Sequence, residues 1–195
     1  MDDAESDDED DWEGSAPVHD RRSDAELVEA ASRGDVDAFE ALYRRHRDWV
    51  VRLALRFTGS EHDALDVLQD TFAYLLRKLP SLRLTARMTT FLYPVVKHLS
   101  VDAIRRRRRH APANAVPDAA APDQPQADRE ELAAVLGALP EPHREAVLMR
   151  YVDGMSLAEV AEALDVPLGT VKSRLHNAMR VLRDDPRTRR YFLEG

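Results

Sequence analysis

Cysteine is absent from the 195 residues, which removes a disulfide scaffold, a thiolate metal site and a thiol nucleophile at once. No uninterrupted apolar run approaches the ~18 residues that a membrane-spanning helix needs. The acidic opening is the reverse of a secretory signal, which starts basic and turns apolar, so none is expected. Only 7 glycines occur, and they form no phosphate-cradling loop. The 7 histidines are scattered, with none read beside a second histidine or a carboxylate at ligand spacing. No Ser/His/Asp arrangement stands out. These gaps predict no enzyme, metal, cofactor or small-molecule substrate, and a soluble cytoplasmic protein. Alternation of apolar and polar residues never persists long enough for a sheet, so the expected fold class is all-α.

Charge is plentiful but unevenly placed. The chain holds 28 basic and 36 acidic residues, a net −8. Residues 1–20 carry ten of those acids and no Lys or Arg, leaving 28 basic against 26 acidic residues, or +2, for the rest. The acidity therefore belongs to a tail, and the clustered positive charge of the body points to a polyanionic partner.

Residues 1–22 combine like charges with few large apolar groups, and a disordered acidic tail is expected. Helical patterning starts at Ser23, which has capping-box spacing to Glu26. Gly34 ends the first helix and Asp35 caps the second, whose apolar series from Phe39 to Phe57 stops at Thr58-Gly59. Ser60 opens a third helix that ends near Pro80. Thr89 or Thr90 is the expected cap of a fourth, with Pro94 in or at the edge of its first turn and Arg108 near its end. Four prolines among alanines between Ala111 and Ala127 read as a semi-extended linker. Helices follow from about Asp128 to Leu139 and from Pro142 to Val152. The expected organisation is thus a tail (1–22), a four-helix domain (23–110), a Pro/Ala-rich linker (111–127) and a smaller helical domain (128–195).

The smaller domain closes with two short helices, Ser156 to Leu164 and Leu168 to about Arg183, interrupted at Asp165-Val166-Pro167. That spacing suits a helix-turn-helix, whose second helix enters the DNA major groove. Val171, Leu175, Ala178 and Leu182 share one stripe and are the candidate core. The opposite face presents Lys172, Ser173, His176, Asn177, Arg180 and Arg183, with Thr170 and Arg174 at its edges and no carboxylate. These donors suit phosphates and base edges, and Asn177 is the candidate base reader because an amide pairs bidentately with adenine. The competing account is a solvated face on an ordinary helical hairpin.

In the larger domain, the fourth helix sets aromatics (Phe91, Tyr93) at one end and five arginines (Arg105 to Arg109) at the other. Arginine neutralises phosphate, and aromatic faces receive unstacked bases. Core packing of the aromatics and a favourable helix C-terminus for the arginines are the plainer accounts.

Three stretches then carry a family resemblance. They are Asp63-Ala-Leu-Asp-Val-Leu-Gln-Asp-Thr-Phe72, the F-L-Y-x-V-V-K-H-L-x-V-D-x-I-R-R run from Phe91 to Arg106, and the closing L-x-E-V-A-E-A-L-x-V-P-x-G-T-V-K-S-R-L-H. In this order they resemble bacterial sigma factors, most of all the compact extracytoplasmic-function (ECF) group of the sigma-70 family. The resemblance implies a dissociable specificity subunit of RNA polymerase, with region 2 over about 23–110 and region 4 over 128–184. It implies docking on the clamp helices of the largest polymerase subunit through Asp66, Gln69 and Phe72, and on the flap of the second subunit. It implies capture and melting of the minus-10 element by residues 80–90 and by Phe91, Tyr93, Lys97, His98, Arg105 and Arg106. Minus-35 recognition falls to Thr170, Lys172, Ser173, Arg174, His176, Asn177 and Arg180. Promoter DNA and core polymerase are the implied partners, and an anti-sigma factor is common for this group. The sequence departs from the family pattern at Leu65, Phe91, Pro94, His98, Asn177 and Met179, and in its acidic tail. A stand-alone helix-turn-helix regulator and an anti-sigma-binding mimic remain as rivals, the first leaving Asp66 to Phe72 unexplained and the second leaving Lys172, Arg174 and Arg180 without a role.

Overall fold

The structure, a computed structural model, describes residues 20–110 and 126–188. The acidic tail up to His19 and linker residues 111–125 lie outside the described residues. Every regular element among the described residues is helical: α1 (Asp24–Ser32), α2 (Val36–Thr58), α3 (Glu61–Lys78), a short 3-10 turn (Leu79–Ser81), α4 (Met88–His110), α5 (Gln126–Ala138), α6 (Glu141–Val147) running into a π turn (Leu148–Val152), α7 (Leu157–Ala163) and α8 (Leu168–Asp184). None is long and apolar enough to cross a membrane.

Local chemistry sets the boundaries. Ser23 and Glu26 form the reciprocal capping box at α1. Asp35 Oδ1 accepts the Ala38 N–H at 2.9 Å, while its Oδ2 accepts from Arg22 at 2.9 Å, tying the chain entrance to the start of α2. Ser60 caps α3, and Ser156 with Glu159 makes a second capping box at α7. Gly59 ends α2 in the left-handed conformation at φ 62°. Asp165 takes the same conformation at φ 52° without being glycine, and this residue makes the sharp turn between α7 and α8.

The fourth helix starts earlier than the cap reading placed it. Met88 is wholly buried and opens the helix, the Arg87 carbonyl accepts the Thr90 and Phe91 N–H groups, and Thr90 is an interior residue instead of a cap. Pro94 consequently lies inside α4, past its first turn, where it removes one rung of the i→i−4 ladder. It stands on the exposed side.

Helices α2, α3 and α4 pack pairwise, with α1 laid across α2. Val50 and Leu53 of α2, Val67 and Leu75 of α3, and Leu92 and Val96 of α4 are completely or almost completely buried. With Leu68, Thr71 and Phe72 completing the α3 series, buried positions recur at helical spacing, so a single stripe per helix is removed from water. In the second half α8 packs on α6 and α7. Val171, Leu175, Ala178 and Leu182 form the buried stripe anticipated from their spacing.

A polar cluster anchors α1. Asp24 receives Arg45 at 2.6 Å and His46 Nε2 at 3.0 Å. Burial pushes the Asp24 carboxyl up, but hydrogen bonds and charge from His46 and Arg45 push it further down, for a net lowering. A lowered folded-state value means its stabilisation is present above the ordinary carboxylate range and is lost as pH falls through the lowered one. Asp24→Asn should therefore flatten the loss of stability below about pH 4, seen in urea titrations across acid pH. Gly59→Ala meets no neighbour within 4 Å, so its cost should be purely conformational. A destabilisation of about 1 kcal/mol is expected in the same assay.

Candidate nucleic-acid interface

Helix α8 divides cleanly because its apolar stripe fixes its rotation. With Val171, Leu175, Ala178 and Leu182 turned inward, Lys172, Ser173, His176 and Arg180 are left exposed, and Thr170, Arg174 and Asn177 are half-buried at the flanks. The Ser173 hydroxyl donates to the Thr170 carbonyl at 2.9 Å, which leaves its oxygen as an acceptor. From Leu168 to Arg183 no acidic side chain interrupts the donors. The seven residues singled out for DNA therefore share one continuous side of one helix.

The α4 residues separate into different environments. Phe91 is half-buried, its ring 6.4 Å from that of Tyr74 with a tilt of 30°. The two rings, with Pro94, Val95, His98 and Glu162, border a groove of about 480 Å³. His98 is exposed, 3.3 Å from Asp102, and the similar pair His62 and Asp66 stands 3.9 Å apart. These two i,i+4 pairs correct the reading that no histidine sits one turn from a carboxylate. Neither gains a third ligand, and no group of three metal-binding side chains occurs among the described residues. Tyr93 is buried, its ring edge-on to Phe57 at 6.1 Å and its hydroxyl donating to Glu145 at 2.9 Å. Burial, first, and the Glu145 carboxylate push the phenol strongly up, so Tyr93 remains a donor at neutral pH. Lys97 Nζ meets the same Glu145 oxygen at 2.6 Å.

The five arginines are not equivalent. Arg107 reaches back to Asp63 at 2.6 Å and to the Thr58 carbonyl at 3.1 Å, closing the seam between the end of α2 and the start of α3. Arg105 and Arg106 make longer approaches to Asp102 (3.5 Å) and Asp70 (3.7 Å). Arg108 and Arg109 are exposed and form no ion pair with any described residue. The tract is thus two weakly paired arginines, one structural arginine and two with no ion-pair partner among the described residues.

On α3, Asp66 and Gln69 are exposed, and Leu65 and Leu76 stand out beside them as uncovered apolar side chains. Phe72 lies elsewhere. It is buried, with Tyr43 at 4.7 Å and Phe39 at 6.3 Å, because its position falls on the inward stripe of α3. It supports the exposed face instead of forming it. The sequence reading also passed over Arg56, Arg87, Glu145 and Asp153, which meet across the two halves of the chain. Their partners lie far apart in sequence, so no local spacing announced them.

Removing the two kinds of arginine should separate their roles. Arg107→Ala strands the nearly buried Asp63 carboxylate and should cost about 1–2 kcal/mol of stability in urea unfolding. Arg108→Ala should leave stability unchanged within about 0.5 kcal/mol.

Comparison with known proteins is consistent from several directions. The family model for Sigma-70 region 2 matches residues 42–110, and that for Sigma-70, region 4 matches residues 129–182. The ECF RNA polymerase sigma factor SigM of Mycobacterium tuberculosis is 38% identical over 164 residues, covering 80% of this chain and 81% of that protein. SigW of Bacillus subtilis, also an ECF RNA polymerase sigma factor, is 27% identical over 173 residues, covering 80% and 92%. Among solved structures, CnrH in complex with the cytosolic domain of CnrY superposes with a TM-score of 0.60 at 26% identity, covering 82% of this chain and 94% of that one. The fold is shared too by the sigma factor RpoE of Bartonella quintana, crystallised with the anti-sigma factor NepR, at a TM-score of 0.59 and 20% identity over 75% and 94%. With regions 2 and 4 in their proper order and a relative this similar, the chain belongs to the ECF group of sigma-70 family RNA polymerase sigma factors, which bind RNA polymerase and direct promoter-specific initiation of transcription.

Proposed function

We propose that promoter choice by this sigma factor is divided between two surfaces, the outward face of α8 and the Phe91–Arg109 side of α4. The single observation that carries the reading is the division of α8. One stripe is buried, and the opposite side carries Lys172, Ser173, His176 and Arg180 with no acidic side chain over the sixteen residues Leu168 to Arg183. A helix presented this way enters the major groove of the minus-35 element with Lys172, Arg174 and Arg180 on phosphates and Asn177 on a base edge. The aromatic groove beside Phe91 and His98 receives an unstacked minus-10 base, and Arg105, Arg106, Arg108 and Arg109 hold the flanking backbone. Tyr93 and Lys97 join them once freed from Glu145.

The exposed side of α3, with Asp66 and Gln69 between the apolar Leu65 and Leu76, is the clamp-helix docking face of core polymerase, and region 4 meets the flap of the second subunit. Residues 23–110 and 128–195 act as the two modules, joined through 111–127. The chain contributes no catalytic group; nucleotide chemistry stays with the polymerase, in the cytoplasm where promoter DNA lies. Two of its structural relatives are held by a CnrY domain or an anti-sigma factor, and a partner of that kind is proposed here as well.

The direct test mixes the purified chain with sigma-free core polymerase and sequences the transcript starts. Defined starts are expected, and DNA binding without initiation would instead indicate a stand-alone regulator. On a promoter mapped this way, Asn177→Ala should relax discrimination at one base pair by about 1–3 kcal/mol. Lys172→Ala should weaken all sequences alike and lower the salt slope by about one. Equal losses on every sequence for both variants would remove Asn177 as a base reader. Asp66→Ala should weaken core-polymerase binding by about 1–2 kcal/mol while free DNA binding is retained.

A further inference from the structure

From Thr71 to Val101 the chain carries five basic residues and no acid. Arg87 and Lys97 are matched by Glu159 and Glu145 of the C-terminal half. Arg77, Lys78 and Arg83 are exposed and form no ion pair with any described residue. Arg77 and Lys78 suit the negative end of α3, a role that does not extend to Arg83 in the loop beyond it. Lys78 Nζ lies over the Tyr74 ring, 5.6 Å from its centroid, and Tyr74 in turn flanks Phe91 in the groove of about 480 Å³. Glu162 of α7 adds one carboxylate to the rim of that groove. Unmatched positive charge thus stands beside an aromatic slot.

The chain itself holds a segment of matching chemistry. Residues 1–19 carry nine acids, no Lys or Arg, and a single Trp, Phe or Tyr: Trp12, within Asp10-Asp11-Trp12-Glu13. A flat ring between carboxylates offers what an unstacked base between phosphates offers, a stacking face with negative charge on either side. The indole N–H is a donor only, and Glu162 supplies an acceptor. The root of the segment is fixed. Arg45 Nη2 donates to the carbonyls of Asp20 at 2.8 Å and Arg22 at 3.0 Å, while Arg22 meets the Asp20 and Asp35 carboxylates at 2.6 and 2.9 Å. Helix α1, which follows, rests against the Leu79–Ser81 turn. The path from Asp20 to Tyr74 is therefore about 14 Å along α1 and about 8 Å back along α3, and the eight residues to Trp12 extend to about 26 Å.

We infer that this acidic segment docks on its own chain, with Trp12 in the Tyr74–Phe91 groove and its carboxylates on Arg77, Lys78 and Arg83. The inference rests on the reading of that groove as the place of an unpaired base, and it adds an internal competitor for the place. Tethering keeps the segment at a high local concentration, so contacts too weak to join separate molecules are enough to fill the groove. Strand and segment exclude one another because both need the same ring faces and the same cations. The ionic part of the contact weakens as salt rises, while the stacking part does not.

The test uses the full chain with 5-fluorotryptophan at its two tryptophans, the fluorine resonances being assigned with Trp12→Leu. The Trp12 resonance should stand apart from that of a peptide of residues 1–19, and either Tyr74→Leu or high salt should move it toward the peptide position. High salt needs no substitution, so a misfolded Tyr74→Leu cannot mimic the result. A Trp12 resonance at the peptide position in the unaltered chain overturns the docking and leaves the promoter-reading assignment standing. A displaced resonance that neither change moves overturns the groove as its seat. A displacement that grows with protein concentration assigns the groove to a second copy and overturns the intramolecular contact. A single-stranded oligonucleotide from a promoter mapped with holoenzyme should expel Trp12, and Trp12→Ala should tighten its binding about fivefold in fluorescence anisotropy. Docked Trp12 with neither expulsion nor tighter binding overturns the competition and counts against the groove as a base site.

Discussion

The rotational phase of each helix is the constraint on which the two surfaces depend. A helical residue turns about 100° from its neighbour, so burying one stripe decides the direction of every other side chain. Leu92 and Val96 lock α4 against α2 and α3, and that alone aims Tyr93 and Lys97 toward the C-terminal half and leaves Pro94 and His98 in water. Val171, Leu175 and Ala178 do the same for α8. Each surface is the unburied remainder of a helix whose apolar side has been placed.

Much of this was legible from local sequence because its causes are local. Ser23, Asp35, Ser60, Ser156 and Gly59 act within three or four residues of themselves, and all five mark helix ends. The α8 stripe is equally plain, since its period repeats over four turns. Where local signals competed, the reading slipped. Thr89 and Thr90 resemble caps, but burial of Met88 extended the helix past them and enclosed Pro94. Phe72 sits inside a family docking motif, yet its spacing from Leu68 and Leu75 puts it in the core. The arginine tract shows the limit most clearly. Five identical letters divide into a clasp, two weak pairs and two cations without a partner among the described residues, according to whether Asp63, Asp70 or Asp102 lies within reach.

What sequence could not reveal is the pairing across the linker. Arg56 and Asp153 are 97 positions apart, and Lys97 and Glu145 are 48 apart. Each charge alone looks like solvated surface. Together they make region 4 amphoteric, basic on the outward face of α8 and acidic where it meets its own chain. Small helical units bury a modest share of their surface, and a contact of this kind lets each lean on the other until a larger assembly takes over.

The π turn from Leu148 to Val152 has a consequence for how this family member tolerates change in length. Its wide turn, closed by the Asp153 N–H on the Leu148 carbonyl, accommodates one more residue than a regular helix would. It holds Met149 inside while leaving Tyr151 and Val152 uncovered. Deleting a single residue here would restore ordinary helical winding and swing Asp153 by about a quarter turn, away from Arg56. A segment with the look of dispensable surface is therefore fixed in length, and insertions or deletions in homologous chains should avoid it while accumulating elsewhere between helices.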